Sequence, residues 1–300
     1  MAVTEADQGQ QVGKDPANHW RYDKSTGLID LTRDSSSSSI TLKTTTNPVR
    51  LSPDRTALVI IDMQNFFLSP ALGRPERSAG LEAAQKLLET GIPAAREKGI
   101  RVIWVNWGLT EEEVETMPPG VARAFGVYES IANSNGNGDG AEQKIKKKKN
   151  RRIYKGIGAD LGPIDLGDGT VVEGGRVLMR DTWNTALYAP LDAVYREGLQ
   201  RASRPDVWIH KNRMSGLWGP GTELESFLRK EGITTLLFAG VNTDQCVGGT
   251  LMDAFSKGYD CVLLRDACAT SSPSFAQEAW EWNCANCWGF VSWCGALKDE

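Results

Sequence analysis

The order of apolar runs and amphipathic segments predicts an α/β protein with a doubly wound, mostly parallel six-stranded sheet and helices on both faces. Short β-branched runs alternate with stretches of helical spacing from about Thr56 onward. Three of these runs are followed by a candidate functional residue: Asp62, Lys211 and, after a tight turn, Cys246. Because ligands bind outside the carboxyl ends of parallel strands, we expect these side chains to meet at one edge of the sheet.

The elements follow from the hydrophobic pattern. The predicted strands are residues 57–61, 101–106, 207–210, 236–240, 261–264 and a last one near 290–291. The predicted helices lie at about 81–95, 222–230, 244–257 and 274–284.

Cys246 is the candidate nucleophile because it opens the helix that follows the uncharged run 236–240. The positive end of a helix dipole lowers the pKa of a thiol in the first turn and raises its thiolate fraction. The alternative interpretation is a small buried hydrophobe, which is what most free cysteines are.

Three ordered motifs resemble those of the isochorismatase-like cysteine hydrolases. They are Asp62-Met63-Gln64, Lys211 and Gly240-Val241-x-Thr243-x-x-Cys246-Val247, within a stretch from about Thr56 to Trp293. The resemblance implies a Rossmann-like sheet of strand order 3-2-1-4-5-6. It also implies a cofactor-independent amidohydrolase that cleaves a C–N bond of a small amide, ureide or lactam through a thioester.

The resemblance further implies a role for each residue. Cys246 attacks as a thiolate, Asp62 carries the proton, and Lys211 favours the ionised cysteine. The backbone N–H groups of Asn242 and Cys246 form the oxyanion hole, and the Val241–Asn242 peptide is cis.

Within the family, the ureidoacrylate and biuret amidohydrolases are the branch that the chain resembles most. Met214-Ser215-Gly216 and residues 275–277 and 288–292 support this, although Thr270 stands where that branch has a substrate-reading glutamine. One alternative is an isochorismatase that cleaves a vinyl ether and releases pyruvate, which the intact Cys246 disfavours. The other is a non-catalytic binding protein on the same fold, for which loss of a triad residue would be the signature.

Aromatic side chains near the predicted strand ends suggest a small, partly aromatic pocket. The expected aromatic lining residues are Phe66, Phe67, Trp107, Trp183 and Trp218, whereas Trp104 is assigned to the core. Asn65, Asn184 and Thr270 are expected to hydrogen-bond an uncharged amide or ureide. The motif loops contain no arginine that could clamp a dicarboxylate, which further disfavours isochorismate.

No metal site is expected. The histidines are His19, in the N-terminal extension, and His210, directly before Lys211. Because side chains alternate along a strand, His210 is expected to lie on the opposite face of the sheet from Lys211, so a zinc site lacks ligands. Cys284 and Cys287 form a Cys-x-x-Cys pair without a second pair nearby, so core positions on a helix are favoured over a zinc site.

Residues 1–50 are a polar extension, and residues 51–300 form the hydrolase domain with an insertion at about 107–205. Trp20 and its apolar neighbours suggest that part of the extension packs on the main domain or on a second subunit. Within the insertion, 162–172 is predicted to be a hairpin. The basic run between Lys144 and Arg152 is interpreted as a solvated loop, with a nuclear targeting signal or a polyanion contact as the alternative.

Composition narrows the class of protein. The 300 residues are 40% hydrophobic with a net charge of −4, so no bulk attraction to nucleic acid or an anionic membrane is expected. No apolar run reaches the ~18 residues of a membrane span, and the polar, acidic N-terminus is unlike a secretory signal. The six cysteines are interpreted as reduced thiols. We therefore expect a cytoplasmic homo-oligomer that acts on a small molecule.

Overall fold

A computed structural model describes residues 9–35, 38–126 and 156–298 of the protein. Five short strands form a small sheet of order β1-β2-β3-β5-β4. They are β1 (Gln10–Asp15), β2 (Asn18–Tyr22), β3 (Ile29–Asp30), β4 (Ile40–Leu42) and β5 (Val49–Leu51). The polar composition of this segment did not lead us to predict a sheet.

The small sheet packs on the main domain, one of the two surfaces expected from the sequence. The indole of Trp20 donates to a carboxylate oxygen of Asp260 at 2.7 Å, and its ring centroid lies 5.8 Å from that of Phe290. Leu42 and Val49 are fully buried in the main hydrophobic core. These contacts provide the apolar burial that the extension lacks by itself.

The main domain is built around a six-stranded sheet of order β10-β7-β6-β11-β12-β13, in which every neighbouring pair is parallel. The strands from β6 onward are β6 (Thr56–Ile61), β7 (Arg101–Trp107), β8 (Pro163–Asp165), β9 (Val171–Glu173), β10 (Val207–Lys211), β11 (Thr235–Val241), β12 (Asp260–Ala269) and β13 (Phe290–Ser292). The predicted fold class and the strand order 3-2-1-4-5-6 are confirmed.

Helices lie around the sheet. They are α1 (Asn65–Leu68), α2 (Ala79–Lys86), α3 (Ile92–Glu97), α4 (Glu111–Glu115), α5 (Pro119–Ala124), α6 (Ala189–Leu199), α7 (Glu223–Lys230), α8 (Gly248–Ser256) and α9 (Ser274–Asn283). A π-helical turn, Leu87–Gly91, joins α2 to α3, so the helix expected at 81–95 is one nearly continuous element. No helix among the described residues is long and apolar enough to cross a membrane.

Gly240 allows the two central strands to approach closely. Its φ is +120°, and a Cβ atom there would lie 2.0 Å from the carbonyl oxygen of Ile61. A residue with a side chain is excluded by both the backbone conformation and this contact. Glycine therefore brings the end of β11, which leads to Cys246, against the end of β6, which leads to Asp62.

The insertion contributes ordered structure as well as loop. β8 and β9 pair antiparallel, which confirms the predicted hairpin. The basic run between Lys144 and Arg152 lies outside the described residues. Cys284 is buried as expected, but Cys287 is exposed because it lies on the outer side of the π-helical turn Cys284–Trp288.

Candidate active site

Asp62, Lys211 and Cys246 meet at the carboxyl edge of the sheet. Lys211 Nζ lies 3.0 Å from Asp62 Oδ2, and both side chains are at most 1% exposed. The Cys246 thiol is 3% exposed, and the Asp62 carboxyl group contributes to the rise of its pKa. The topology therefore brings together three residues that lie 149 and 35 positions apart in the sequence (211 − 62 and 246 − 211).

The backbone of Asp62 lies in the left-handed region, with φ of +54°. Few residues other than glycine adopt this conformation, although aspartate tolerates it better than most. Its backbone N–H donates to Val105 O at 3.0 Å, and its Oδ1 accepts from the N–H of Trp107 at 3.2 Å. The turn and these hydrogen bonds hold the carboxylate under the end of the neighbouring strand.

Lys211 is fixed by contacts on every side. Its Nζ donates to Arg213 O at 3.1 Å and to Met214 O at 3.2 Å, in addition to its ion pair with Asp62. The same nitrogen lies 4.0 Å from the centroid of the Trp107 ring. An ammonium group has three donors, so the lysine is a fully coordinated buried cation.

Burial dominates the protonation of this cluster. It raises the pKa of the Cys246 thiol to about 12, reinforced by the Asp62 carboxylate and opposed by Lys211. It also raises the pKa of Asp62, against the opposing effect of Lys211. The lowered thiol pKa expected from the helix end is therefore wrong for the free site, where the thiol is protonated at neutral pH.

Cys246 lies in the π-helical turn Thr243–Val247 that precedes α8, and it opens into a cavity of about 310 Å³. The Val241–Asn242 peptide is cis, as the resemblance implies, and Asn242 lines the same cavity. The oxyanion-hole role of the Asn242 and Cys246 backbone N–H groups stays a prediction. Met214 also borders the cavity, and its Sδ lies 3.4 Å from the Cys246 sulfur.

Three of the eight residues expected to bind substrate line this cavity: Phe66, Phe67 and Thr270. The Thr270 hydroxyl donates to Asp244 Oδ1 at 2.5 Å, which fixes its orientation. Further residues, which the sequence did not indicate, also line the cavity. They include Arg74, Ser78, Gly80, Phe125, Gln245 and Ser271.

The other expected pocket residues lie elsewhere. The side chain of Asn184 is fully buried and bonded to the loop around it, including Leu178 N and Gly174 O, each within 3 Å. Asn65 donates to Trp183 O at 2.9 Å, and the Trp183 side chain packs partly buried against the core. Neither residue lines the cavity.

Two tryptophans depart from the expectation in opposite directions. Trp218 is 51% exposed and donates to Asn212 Oδ1 on the outer surface. Trp107 is fully buried behind the Asp62–Lys211–Cys246 cluster. Loop position in the sequence did not indicate which way these side chains turn.

Arg74 changes the charge of the predicted pocket. Its Nε and Nη2 donate to Phe66 O at 3.2 and 3.1 Å, and its guanidinium lies 5.7 Å from the centroid of the Phe66 ring. The expectation concerned arginines in the motif loops, and it did not foresee that Arg74 would line the cavity. A loop residue twelve positions after Asp62 (74 − 62) folds back onto the motif that precedes it.

The two histidines lie apart. His210 stacks edge-on against Trp208, on the opposite face of the sheet from Lys211. His19 lies in the small sheet, with Nδ1 3.1 Å from Pro16 O and Nε2 3.2 Å from Asp34 Oδ2. Among the described residues, no group of three or more histidine, cysteine, aspartate or glutamate side chains is arranged to hold a metal ion.

Comparison with known proteins shows which proteins this chain is similar to. Residues 180–287, which include Lys211 and Cys246, match the family model of the isochorismatase domain. The predicted resemblance to the isochorismatase-like proteins is confirmed.

Solved structures show the same fold. An isochorismatase family protein from Desulfovibrio vulgaris subsp. vulgaris str. Hildenborough has a TM-score of 0.51 and 22% identity, covering 82% of this chain and 97% of that one. A cysteine hydrolase from Pseudomonas syringae pv. phaseolicola 1448A has a TM-score of 0.52 and 17% identity, covering 87% and 98%. A pyrazinamidase/nicotinamidase from Streptococcus mutans UA159 has a TM-score of 0.50 and 16% identity, covering 79% and 99%.

Proposed function

We propose that this protein is a cysteine-dependent hydrolase of a C–N bond in a small amide, ureide or lactam, acting through a thioester. The observation that carries the proposal is the buried Asp62–Lys211–Cys246 cluster, of which Cys246 opens into the 310 Å³ cavity. A cavity of this size admits a small molecule. The fold is shared with a pyrazinamidase/nicotinamidase.

Acylation begins with proton transfer from the Cys246 thiol to the Asp62 carboxylate. The sulfur then forms a bond to the substrate carbonyl carbon, and the carbonyl electrons move to oxygen, where the N–H groups of Asn242 and Cys246 stabilise the oxyanion. When the carbonyl re-forms, the C–N bond breaks and Asp62 gives its proton to the leaving nitrogen. The products of this half are an amine, or ammonia, and the thioester.

Deacylation repeats these steps with water. Asp62 takes a proton from a water molecule as its oxygen attacks the thioester carbon. The C–S bond then breaks, the acid or carbamate leaves, and the proton returns to the sulfur. One water is consumed and the three side chains regain their starting protonation.

Lys211 makes the first proton transfer feasible in a buried site. Before transfer the cluster holds a thiol, a carboxylate and an ammonium group; afterwards it holds a thiolate, a carboxylic acid and the same ammonium group. The net charge is zero in both states, so burial opposes the transfer far less than it opposes loss of the proton to solvent. The raised pKa of Asp62 suits it to receive this proton.

The cavity lining supports a small substrate with a polar end. Phe66, Phe67 and Phe125 supply aromatic surface, whereas Arg74 and Gln245 supply polar groups. Because Arg74 reaches the cavity, substrates that carry a carboxylate belong in the test beside neutral ones. The predicted homo-oligomer and cytoplasmic location remain predictions.

The test is a panel of a neutral ureide, a carboxylate-bearing ureide, a simple amide, a lactam and isochorismate, assayed with wild-type protein and Cys246→Ala. We expect the wild type to turn over at least one C–N substrate and to carry an acyl group on the Cys246 peptide after rapid acid quenching. A preference in kcat/KM for isochorismate of about tenfold or more, or ~1.4 kcal/mol, would favour the vinyl ether reaction instead. Binding without turnover would favour the non-catalytic alternative.

A further inference from the structure

Trp107 lies against the Asp62–Lys211–Cys246 cluster, although it is not among the residues that line the cavity. It is the last residue of β7, on the strand next to the one that leads to Asp62, and it is fully buried. Its backbone N–H donates to Asp62 Oδ1, and its ring face receives Lys211 Nζ at 4.0 Å.

Gln64 holds this tryptophan in place. The Trp107 N–H also donates to Gln64 Oε1 at 3.1 Å, and Gln64 Nε2 donates to Trp107 O and to Thr185 O, both at 2.7 Å. Gln64 is fully buried, so the clamp is protected from water. The backbone of Trp107 is therefore fixed by contacts within the protein.

The indole Nε1–H is a buried donor without a completed hydrogen bond among the described residues. Burial raises the pKa of the Cys246 thiol, and the Trp107 side chain opposes that rise, as a donor near the sulfur would. A thiol sulfur is a weak acceptor, whereas a thiolate is a charged and much stronger one. The donor therefore gains a full partner only when the nucleophile ionises.

We infer that Trp107 stabilises the Cys246 thiolate by donating its indole Nε1–H to the sulfur. No proton is transferred in this contact: the proton of the thiol goes to Asp62, and the indole keeps its own. Trp107 thus acts on the nucleophile from the side opposite the substrate, and Lys211 lies against its ring face. The inference rests on the proposed use of Cys246 as a nucleophile, but it concerns a property of the thiol that is measurable without a substrate.

The test is the rate at which iodoacetamide alkylates Cys246, followed by peptide mass spectrometry over a range of pH. Trp107→Phe keeps an aromatic ring under Lys211 and removes the N–H. We expect alkylation about tenfold slower than in the wild type at the same pH, equivalent to ~1.4 kcal/mol, with the rate profile displaced to higher pH.

Trp104→Phe is the matched control. Trp104 lies in the same strand and is equally buried, but its Nε1 donates to Asp206 Oδ2 at 2.9 Å on the other side of the sheet. We expect this variant to alkylate at the wild-type rate. If Trp107→Phe also alkylates at the wild-type rate, or if both variants slow equally, the inference is overturned.

A second variant separates the N–H from packing if Trp107→Phe does not fold. Replacement of Trp107 by benzothienylalanine puts sulfur in place of the N–H and keeps the bicyclic shape. Slower alkylation in that protein supports the inference, and an unchanged rate overturns it. Failure of the proposed function would appear elsewhere, as turnover retained by Cys246→Ala in the substrate panel.

Discussion

Replacement of Lys211 by methionine tests whether the buried ion pair holds the site together. The two charges lie 3.0 Å apart with side chains at most 1% exposed. At an effective dielectric constant of about 20, this separation corresponds to an attraction of about 5 kcal/mol. The substitution also leaves Arg213 O and Met214 O without the donor that they share. Removal of one partner of a buried pair typically costs about 3–5 kcal/mol of stability. We therefore expect Lys211→Met to lower the free energy of unfolding by about 3–5 kcal/mol near neutral pH.

The loss should depend on pH in a predictable direction. Burial already raises the pKa of Asp62, and without Lys211 the carboxyl pKa rises further. A carboxyl whose pKa is raised in the folded state contributes stability below its unfolded pKa, near 4, and loses that contribution as pH rises through the folded value. The difference in unfolding free energy between wild type and Lys211→Met should therefore be smaller at about pH 5 than at about pH 8.

Urea denaturation at the two pH values measures this difference. Arg229→Met is the matched control, because Arg229 pairs with Glu225 at 2.8 Å but is 74% exposed. Surface pairs contribute little, so we expect a much smaller change with little pH dependence. Similar small losses for both variants, without a pH trend, would refute the view that Lys211 is a buried cation required by Asp62.

Four further outcomes follow from the site. Cys246→Ala should abolish turnover with the fold intact, and Asp62→Asn should reduce the turnover rate nearly as much. A rate above about a tenth of wild type in the Cys246→Ala protein would exclude covalent catalysis. Alkylation of Cys246 in the free protein should be slow near pH 7 and increase toward pH 12, because burial raises the thiol pKa to about 12; rapid alkylation at neutral pH would contradict this. Gly240→Ala should lower the unfolding free energy by about 3 kcal/mol or more, because the new Cβ would lie 2.0 Å from Ile61 O. Gly219→Ala should leave the unfolding free energy unchanged, because a Cβ there has no atom within 4 Å. Equal thermal melts of the two variants would contradict the packing argument.

The meeting of Asp62, Lys211 and Cys246 could be predicted because strand periodicity identifies strand ends. Buried parallel strands are continuous apolar runs, and Asp62 and Lys211 terminate two of them. Polar side chains that follow such runs are confined to one edge of the sheet by topology alone. The sequence therefore indicated which residues meet even though it carried no distances.

Loop side chains could not be placed in this way. Asn184 and Trp218 follow predicted elements, but one is bonded within its own loop and the other lies on the surface. Arg74 reaches the cavity because residues 70–72 turn the chain back toward Phe66. These directions depend on loop backbone angles, for which neither period-two nor 3.6-residue patterns give a signal.

The protonation of Cys246 shows how two effects on one thiol compete. A helix end favours a thiolate by about 0.3–1 kcal/mol at an exposed site. Removal of a charge from water costs several kcal/mol, and Cys246 is 3% exposed beside a carboxylate. Burial therefore determines the resting state, and the helix end does not. A thiolate forms in this cluster only if the proton stays within it, which requires a carboxylate that accepts the proton and a cation that remains charged throughout. In the proposed mechanism Asp62 and Lys211 meet these two requirements, so the same burial that suppresses the free thiolate explains why both residues would be needed to form it.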